Sequence, residues 1–242
     1  MSLLELRRVS KLHVRGSRRV EVLREISLEI NAGELVAVWG LRRSGRSTLL
    51  AVAAGVDRPD AGEVLFDGVN LNGRGATALG DGVGYCRQGV GVPNGRTVTD
   101  NVCAGLLARG VPGPDAHLRA HRALERVGVQ QCGELMLGDL DGAEAVRVAI
   151  ACVLVLGPRL LVVDEPTKGI DLLQRDEIVL LLRSLADEGI AILVSDGDGS
   201  GLSDADRSLS LAGGELRGKT SPEAGALLSL QRARSRSRSS AA

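Results

Sequence analysis

The 242-residue sequence predicts an α/β fold with a mostly parallel core sheet. Three observations support this class. Short apolar runs, each long enough for one buried strand, alternate with longer helix-forming segments. A glycine-rich loop joins one of these runs to a helix, and another run ends in two adjacent carboxylates. An alternation of strands and helices is typical of a mostly parallel sheet.

The N-terminal part predicts antiparallel strands, then a buried strand and a helix. Residues 3–31 alternate and carry turn signals, which indicates antiparallel strands. Residues 34–39 form an apolar run after the turn signal Asn-Ala-Gly and predict a buried strand. Residues 47–54 predict a helix that stops at a glycine, and residues 63–71 predict one further short strand.

The remainder of the chain predicts helices followed by buried strands. Residues 99–129 are helical in pattern, interrupted at 110–114 by Gly-Val-Pro-Gly-Pro, with an amphipathic helix at 118–127. A second helix is predicted over 143–156 and a third over 176–186. Buried strands are predicted at 160–163 and 190–194. The Arg/Ser-rich segment from about residue 231 predicts a disordered tail.

Composition excludes several classes of protein. The formal net charge is zero and the sequence pI is about 6.8, so we expect no nucleic-acid partner. The longest apolar run is far shorter than the roughly 20 residues of a membrane span, and the N-terminus shows no signal region. The four cysteines lack metal-ligand spacing, which favours reduced thiols. We therefore expect a cytoplasmic protein whose membrane role depends on a partner.

The first motif is a phosphate-binding loop with one substitution. Residues 40–48, Gly-Leu-Arg-Arg-Ser-Gly-Arg-Ser-Thr, match G-x-x-x-x-G-K-[ST] except that Arg46 replaces the lysine. Backbone N–H groups at the start of the following helix, with the helix dipole, attract phosphate. The motif predicts a nucleoside triphosphate site, with a hydroxyl of Ser47 on Mg²⁺. The predicted nucleotide contacts are Gly40, Arg43, Ser44, Gly45, Arg46, Ser47 and Thr48.

The second motif is a pair of carboxylates at the end of the strand at 160–163. Asp164 is predicted to hold Mg²⁺ through its water shell, because Mg²⁺ requires an octahedron of oxygens. Glu165 is predicted to polarise the attacking water. An upstream phosphate loop together with a strand that ends in Asp-Glu predicts a P-loop nucleotide-binding fold.

From Leu3 to about Arg217, the chain resembles the ATP-binding subunit of an ABC transporter, in the lipoprotein-releasing and macrolide-exporter branch. The resemblance is carried by residues 20–30, 107–111, 122–128 and 147–151, in that order before the Asp-Glu strand. It implies an ATP-binding domain over residues 1–218, with an antiparallel β subdomain and a helical subdomain at about 99–156. Residues 219–242 would form a C-terminal extension.

The resemblance also implies roles for further residues. Gln88 matches the glutamine that senses Mg²⁺ and faces the membrane subunit, and Asp171 matches an aspartate at the dimer interface. His13 stands where the family stacks an aromatic ring on adenine. Asp196 stands where the family has its switch histidine. The signature loop, Leu-Ser-Gly-Gly-Glu in the family, is Leu-Asp-Gly-Ala-Glu here, with nucleotide contacts implied for Asp141, Gly142 and Ala143.

Three departures fall at positions of the chemistry: Arg46, Asp141 and Asp196. The resemblance implies a subunit that binds ATP and Mg²⁺ at a dimer interface and couples to a transmembrane permease at the inner face of the membrane. The three departures predict that it hydrolyses ATP slowly or not at all alone. Two alternatives stay open. In one, Arg42, Arg43 or Arg46 replaces the charge of the lysine and the ATPase is fully active. In the other, the fold serves a non-transport regulatory or scaffold protein. The sequence leaves homodimer and heterodimer equally open.

Overall fold

The computed structural model describes residues 2–16, 18–72, 82–87, 96–197 and 204–219. Gln88 and the predicted tail from residue 231 lie outside these ranges. The described strands are β1 Leu4–Arg15, β2 Arg18–Ile30, β3 Leu35–Trp39, β4 Ala61–Phe66, β5 Val69–Asn70, β6 Val83–Cys86, β7 Leu160–Val163, β8 Ala191–Asp196, β9 Arg207–Ala212 and β10 Glu215–Lys219. The helices are α1 Arg46–Ala53, α2 Val98–Leu107, α3 Gly113–Arg126, α4 Gly142–Leu154 and α5 Leu172–Asp187.

The N-terminal strands form a four-stranded antiparallel sheet in the order β2-β1-β4-β5. This confirms the antiparallel strands that the alternation in residues 3–31 predicts. The single strand predicted over residues 63–71 is wrong in detail, because the segment forms two strands. The chain turns between them at Asp67 and Gly68, whose φ angles of +50° and +74° cannot continue an extended strand.

In the described ranges, the core sheet has six strands in the order β10-β9-β3-β8-β7-β6. Among the described strands of this sheet, four neighbouring pairs are parallel, and the pair of β9 with β10 is antiparallel. The prediction of a mostly parallel core sheet is therefore confirmed. The sequence analysis did not identify β6, β9 or β10 as strands.

Both faces of the core sheet are buried. Alternate residues of β3 face opposite sides: Leu35 and Ala37 belong to a cluster with α2 to α5, whereas Val36 and Val38 pack with α1 and the antiparallel sheet. The same alternation occurs along β7 and β8. A parallel sheet buried on both faces has near-continuous apolar strands, which explains why β3, β7 and β8 were recognisable from sequence.

The helices begin earlier than the sequence patterns predict. Helix α3 starts at Gly113, inside the segment taken as an interruption, because Pro114 occupies the first turn, where its missing N–H costs nothing. Helix α5 starts at Leu172, directly after Asp171. Helices α2 to α4 lie within the predicted helical subdomain at about 99–156, whose limits stay a prediction. None of the helices in the described ranges is long and apolar enough to cross a membrane.

Candidate nucleotide site

The predicted motifs meet because three adjacent parallel strands end at one edge of the core sheet. The register pairs Trp39 of β3 with Asp196 of β8, and Val163 of β7 with Val194. The loop that starts at Gly40 and the Asp164-Glu165 pair therefore leave the sheet at the same end, on either side of β8. Ligands of α/β proteins bind at the carboxyl ends of such strands.

The phosphate loop has the close backbone packing that its glycines permit. Gly45 has φ +105°, and a Cβ there would lie 2.8 Å from Val22 Cγ1. A Cβ on Gly40 would lie 2.5 Å from the carbonyl oxygen of Leu211. Helix α1 begins after Gly45, and no side chain caps its N-terminus. Within the described residues, the first turn of α1 therefore has no side-chain cap, which suits an anion site.

A cavity of about 360 Å³ lies over this loop. Its lining comprises residues 41–48 of the loop with His13, Val20, Val22, Glu165 and Lys168. Most of the predicted nucleotide contacts thus share one cavity, and Val20, Val22 and Lys168 are lining residues that the sequence analysis did not single out. In the part of the chain that the structure describes, the buried Ser44 Oγ has no hydrogen-bond partner. A phosphate oxygen in the cavity would supply that partner, so the loop fits a phosphate group.

Arg46 is folded back against the strand ends. Only 6% of this residue is exposed, and its guanidinium donates hydrogen bonds to Gly40 O, to Gly197 O at 3.2 Å and to Glu165 Oε1. The contact with Glu165 is also an ion pair. The charge that the motif normally directs at a phosphate is here balanced by a carboxylate of the same chain.

Glu165 lies between two cations. Oε1 accepts from Arg46, and Oε2 accepts from Lys168 Nζ at 2.8 Å. Burial raises the pKa of Glu165, but the hydrogen bond from Lys168 and the charge of Arg46 outweigh burial and hold the pKa below its ordinary value. A carboxylate with both oxygens engaged and a lowered pKa is a weak proton acceptor in this state.

Ser195 bonds to both residues of the Asp-Glu pair. Its hydroxyl donates to Asp164 Oδ1 at 2.6 Å and accepts from the backbone N–H of Glu165 at 2.9 Å. Ser195 and Asp164 are both buried. The sequence analysis did not single out Ser195, although a serine at the end of an otherwise apolar strand was an available signal.

Asp196 lies at the same sheet edge but does not line the cavity. It is buried, and its Oδ1 accepts from the N–H of Gly197 at 2.7 Å and from Thr167 Oγ1 at 3.5 Å. The aspartate predicted at the switch-histidine position therefore bonds to its own chain at a strand end. Its predicted catalytic role stays a prediction.

The signature loop begins helix α4. Asp141 Oδ1 accepts from the N–H of Glu144 at 2.8 Å, and Glu144 Oε2 accepts from the N–H of Asp141 at 3.0 Å. Gln174 of α5 donates to Asp141 Oδ2 at 3.2 Å. Asp171 caps α5 in a similar way, accepting from the N–H of Gln174. Asp141, Gly142, Ala143 and Asp171 do not line the cavity of their own chain.

A largely parallel sheet that presents a phosphate loop and an Asp-Glu pair at one edge defines a P-loop nucleotide-binding protein. The family profile described as ABC transporter matches residues 23–168. The chain belongs to the ABC transporter family, as an ATP-binding subunit with the cassette fold. The resemblance seen in the sequence is therefore confirmed.

Relatives in sequence and solved structures are similar to this protein over most of its chain. LolD, the ATP-binding protein of the lipoprotein-releasing system of Chromohalobacter salexigens, is 37% identical over 188 residues, 76% of this chain and 79% of that protein. LolD of Myxococcus xanthus is 34% identical over 221 residues, 89% of this chain and 99% of that protein. The dimeric post-hydrolysis state of the ATP-binding cassette MJ0796, bound to ADP and Pi, superposes with a TM-score of 0.80 at 26% identity. The superposition covers 89% of this chain and 97% of that chain.

Proposed function

We propose that this subunit binds ATP and Mg²⁺ at a dimer interface, couples to a transmembrane permease, and hydrolyses ATP slowly or not at all by itself. The observation that carries the proposal is the contact between Arg46 and Glu165. It joins the substituted residue of the phosphate loop to the predicted general base, in a site that otherwise has the features of a phosphate cradle.

The described residues suit ATP with Mg²⁺. The N-terminus of α1 and Ser44 would bind phosphate oxygens, and His13 with Val20 and Val22 would line the base. Mg²⁺ usually keeps several waters and takes one or two protein oxygens beside the phosphates, so Ser47 and Asp164 suffice. Bound Mg²⁺ supplies neutralisation of phosphate charge. Ser195 fixes the rotamer of Asp164 for that contact.

Slow hydrolysis follows from the same geometry. Phosphoryl transfer depends almost wholly on positioning and on electrostatic stabilisation of the transferred group. A guanidinium is planar and larger than the compact ammonium of lysine, and here Glu165 holds it. Glu165 must also release at least one cation before it can accept a proton from water. The guanidinium of Arg46 and the carboxylate of Glu165 therefore begin from an arrangement unsuited to catalysis.

Assembly with partners is proposed from relatives. The MJ0796 cassette is dimeric in its nucleotide-bound structure, and two relatives belong to a lipoprotein-releasing system. In a cassette dimer, Arg46 and Glu165 would serve the chain's own site, whereas Asp141 would face the partner's site. A homodimer would carry all the departures in both sites. The permease would hold the subunit at the inner face of the membrane.

Nucleotide binding and turnover of the purified subunit test this proposal together. We expect ATP to bind, and steady-state hydrolysis to stay below about 1 s⁻¹, the lower end of typical enzyme turnover. The variant Arg46→Lys should hydrolyse faster, because it restores the compact charge and frees Glu165 Oε1. Turnover of the unchanged chain above that rate would contradict slow hydrolysis, and absence of ATP binding would contradict the function itself.

Purification of the tagged subunit from solubilised membranes tests the coupling to a permease. A transport subunit should retain a multi-span membrane protein through purification. If only soluble proteins are retained, the regulatory or scaffold function becomes the better proposal.

A further inference from the structure

Two arginines, Arg42 and Arg43, form the tip of the phosphate loop. The tip is a turn, which the backbone N–H of Ser44 closes by donating to the carbonyl oxygen of Leu41 at 3.0 Å. Both arginines are exposed, and both line the nucleotide cavity. We call them the loop-tip pair. The turn therefore places two positive charges at the wall of the cavity, in the loop that contains the predicted phosphate contacts.

Arg43 has a backbone conformation that favours glycine. Its φ angle is +67° at the third position of the turn, where a type II turn has a positive φ and usually a glycine or an asparagine. An arginine at this position strains the backbone, whereas a glycine would form the same turn without strain. Residues with strained backbones cluster at ligand-binding sites, so the strain suggests that the side chain has a function.

The loop-tip pair differs from the other cations of the cavity in its partners. Arg46 and Lys168 both contact the carboxylate of Glu165, which is the one acidic group among the described residues that line the cavity. Within the described ranges, neither side chain of the loop-tip pair has an ion pair or a hydrogen bond. The cavity therefore has an excess of positive charge, in the same loop as the unpartnered Ser44 Oγ.

We propose that the loop-tip pair supplies the positive charge that binds the phosphates of a nucleotide in this cavity, in place of the loop lysine. This proposal rests on the proposed nucleotide-binding function. A guanidinium is always charged and can donate two parallel hydrogen bonds to phosphate oxygens. Arg46 keeps its contact with Glu165 in this arrangement. Nucleotide binding and slow hydrolysis then depend on different arginines of one loop.

Calorimetric titration of ATP into the double variant Arg42→Gln, Arg43→Gly tests the proposal. We expect the affinity for ATP to fall about ten-fold or more, the value of one charge-assisted hydrogen bond. The double variant Arg42→Lys, Arg43→Lys keeps both charges and should lose less than about three-fold. Titration of inorganic tripolyphosphate should give the same order, because the loop-tip pair contacts phosphate and not the base.

Arg8→Gly is the matched control. Arg8 is also an exposed arginine with a positive φ angle, of +47°, but it does not line the nucleotide cavity. The control should leave the affinity for ATP within about two-fold of that of the unchanged chain. Thermal unfolding without nucleotide checks that each variant is folded. If the variant with Arg43→Gly does not fold, Arg42→Gln with Arg43→Asn repeats the comparison, because asparagine tolerates a positive φ.

Three results would overturn the role of the loop-tip pair: a loss of ATP affinity below about three-fold in the variant without the two charges, an equal loss in the double lysine variant, or the same loss in Arg8→Gly. If the unchanged chain binds neither ATP nor tripolyphosphate, the proposed function fails as well. If the unchanged chain binds ATP and the variant without the two charges matches it, only the role of the loop-tip pair fails.

Discussion

The hydroxyl of Ser195 has two partners in the interior, and each would be left unsatisfied without it. It donates to the carboxylate of Asp164 and accepts from the N–H of Glu165. We predict that Ser195→Ala lowers the free energy of unfolding by about 1–3 kcal/mol, the cost of leaving buried polar groups without a partner. Urea denaturation monitored by the fluorescence of Trp39 measures this change.

Ser184→Ala is the matched control for that substitution. The hydroxyl of Ser184 donates only to the carbonyl of Leu181 within helix α5, a local bond that contributes little to helix stability. The control should therefore change the free energy of unfolding by less than about 0.5 kcal/mol. Equal effects of the two substitutions would contradict the role assigned to Ser195.

At the residue scale, the sequence identified the parts of the site but not their contacts. The order of the phosphate loop and the Asp-Glu strand predicted that Arg46 and Glu165 share a site, and the structure brings them together. The direction of the guanidinium was not predictable, because its carboxylate partner lies 119 residues away and its other acceptors are backbone carbonyls. Local sequence patterns contain no information about such long-range hydrogen bonds.

At the element scale, Asp141 has a structural role that helix physics explains. An aspartate is among the best N-cap residues, and its charge also suits the positive end of the helix dipole. We predict that Asp141→Ala lowers the free energy of unfolding by about 1 kcal/mol through loss of the cap. Asp141→Ser should change stability little, because serine caps a helix about as well.

Comparing these two variants separates the contribution of the cap from the contribution of the negative charge. Both remove the negative charge, whereas only Asp141→Ala removes the cap. Chemical denaturation of the two proteins without nucleotide measures the difference. If Asp141→Ser is as destabilised as Asp141→Ala, the carboxylate acts through its charge or through Gln174, and the capping explanation is wrong.

Strands β9 and β10 were missed because their sequences lack the continuous apolar run that marks a strand buried on both faces. Strand β9, Arg-Ser-Leu-Ser-Leu-Ala, and its neighbour β10 carry charged and small residues, since they form the antiparallel edge of the core sheet. Their only strong turn signal is Gly213-Gly214. Apolar β3, β7 and β8 were predictable because both of their faces are buried.

At the scale of the whole molecule, the core sheet joins two apolar clusters into one structure. Three of the four free cysteines, Cys86, Cys103 and Cys132, belong to the cluster on the helical face, and Cys152 packs against it. Trp39 lies on β3 in the sheet itself. The thiols therefore report on the helical side of the molecule, and the indole reports on the central sheet.

Burial makes these thiols unreactive in the folded protein. It raises the pKa of Cys86 to about 12 and that of Cys152 to about 11, and it also raises the pKa of Cys103 and of Cys132. Because the thiolate is the reactive form, we predict slow labelling by a disulfide reagent at pH 8. In increasing urea, all four thiols should become reactive in the same transition as the change in Trp39 fluorescence, since the sheet couples both clusters. The chain in full denaturant, which should label at once, is the control. Labelling that precedes the fluorescence change would show that the helical side opens independently of the sheet.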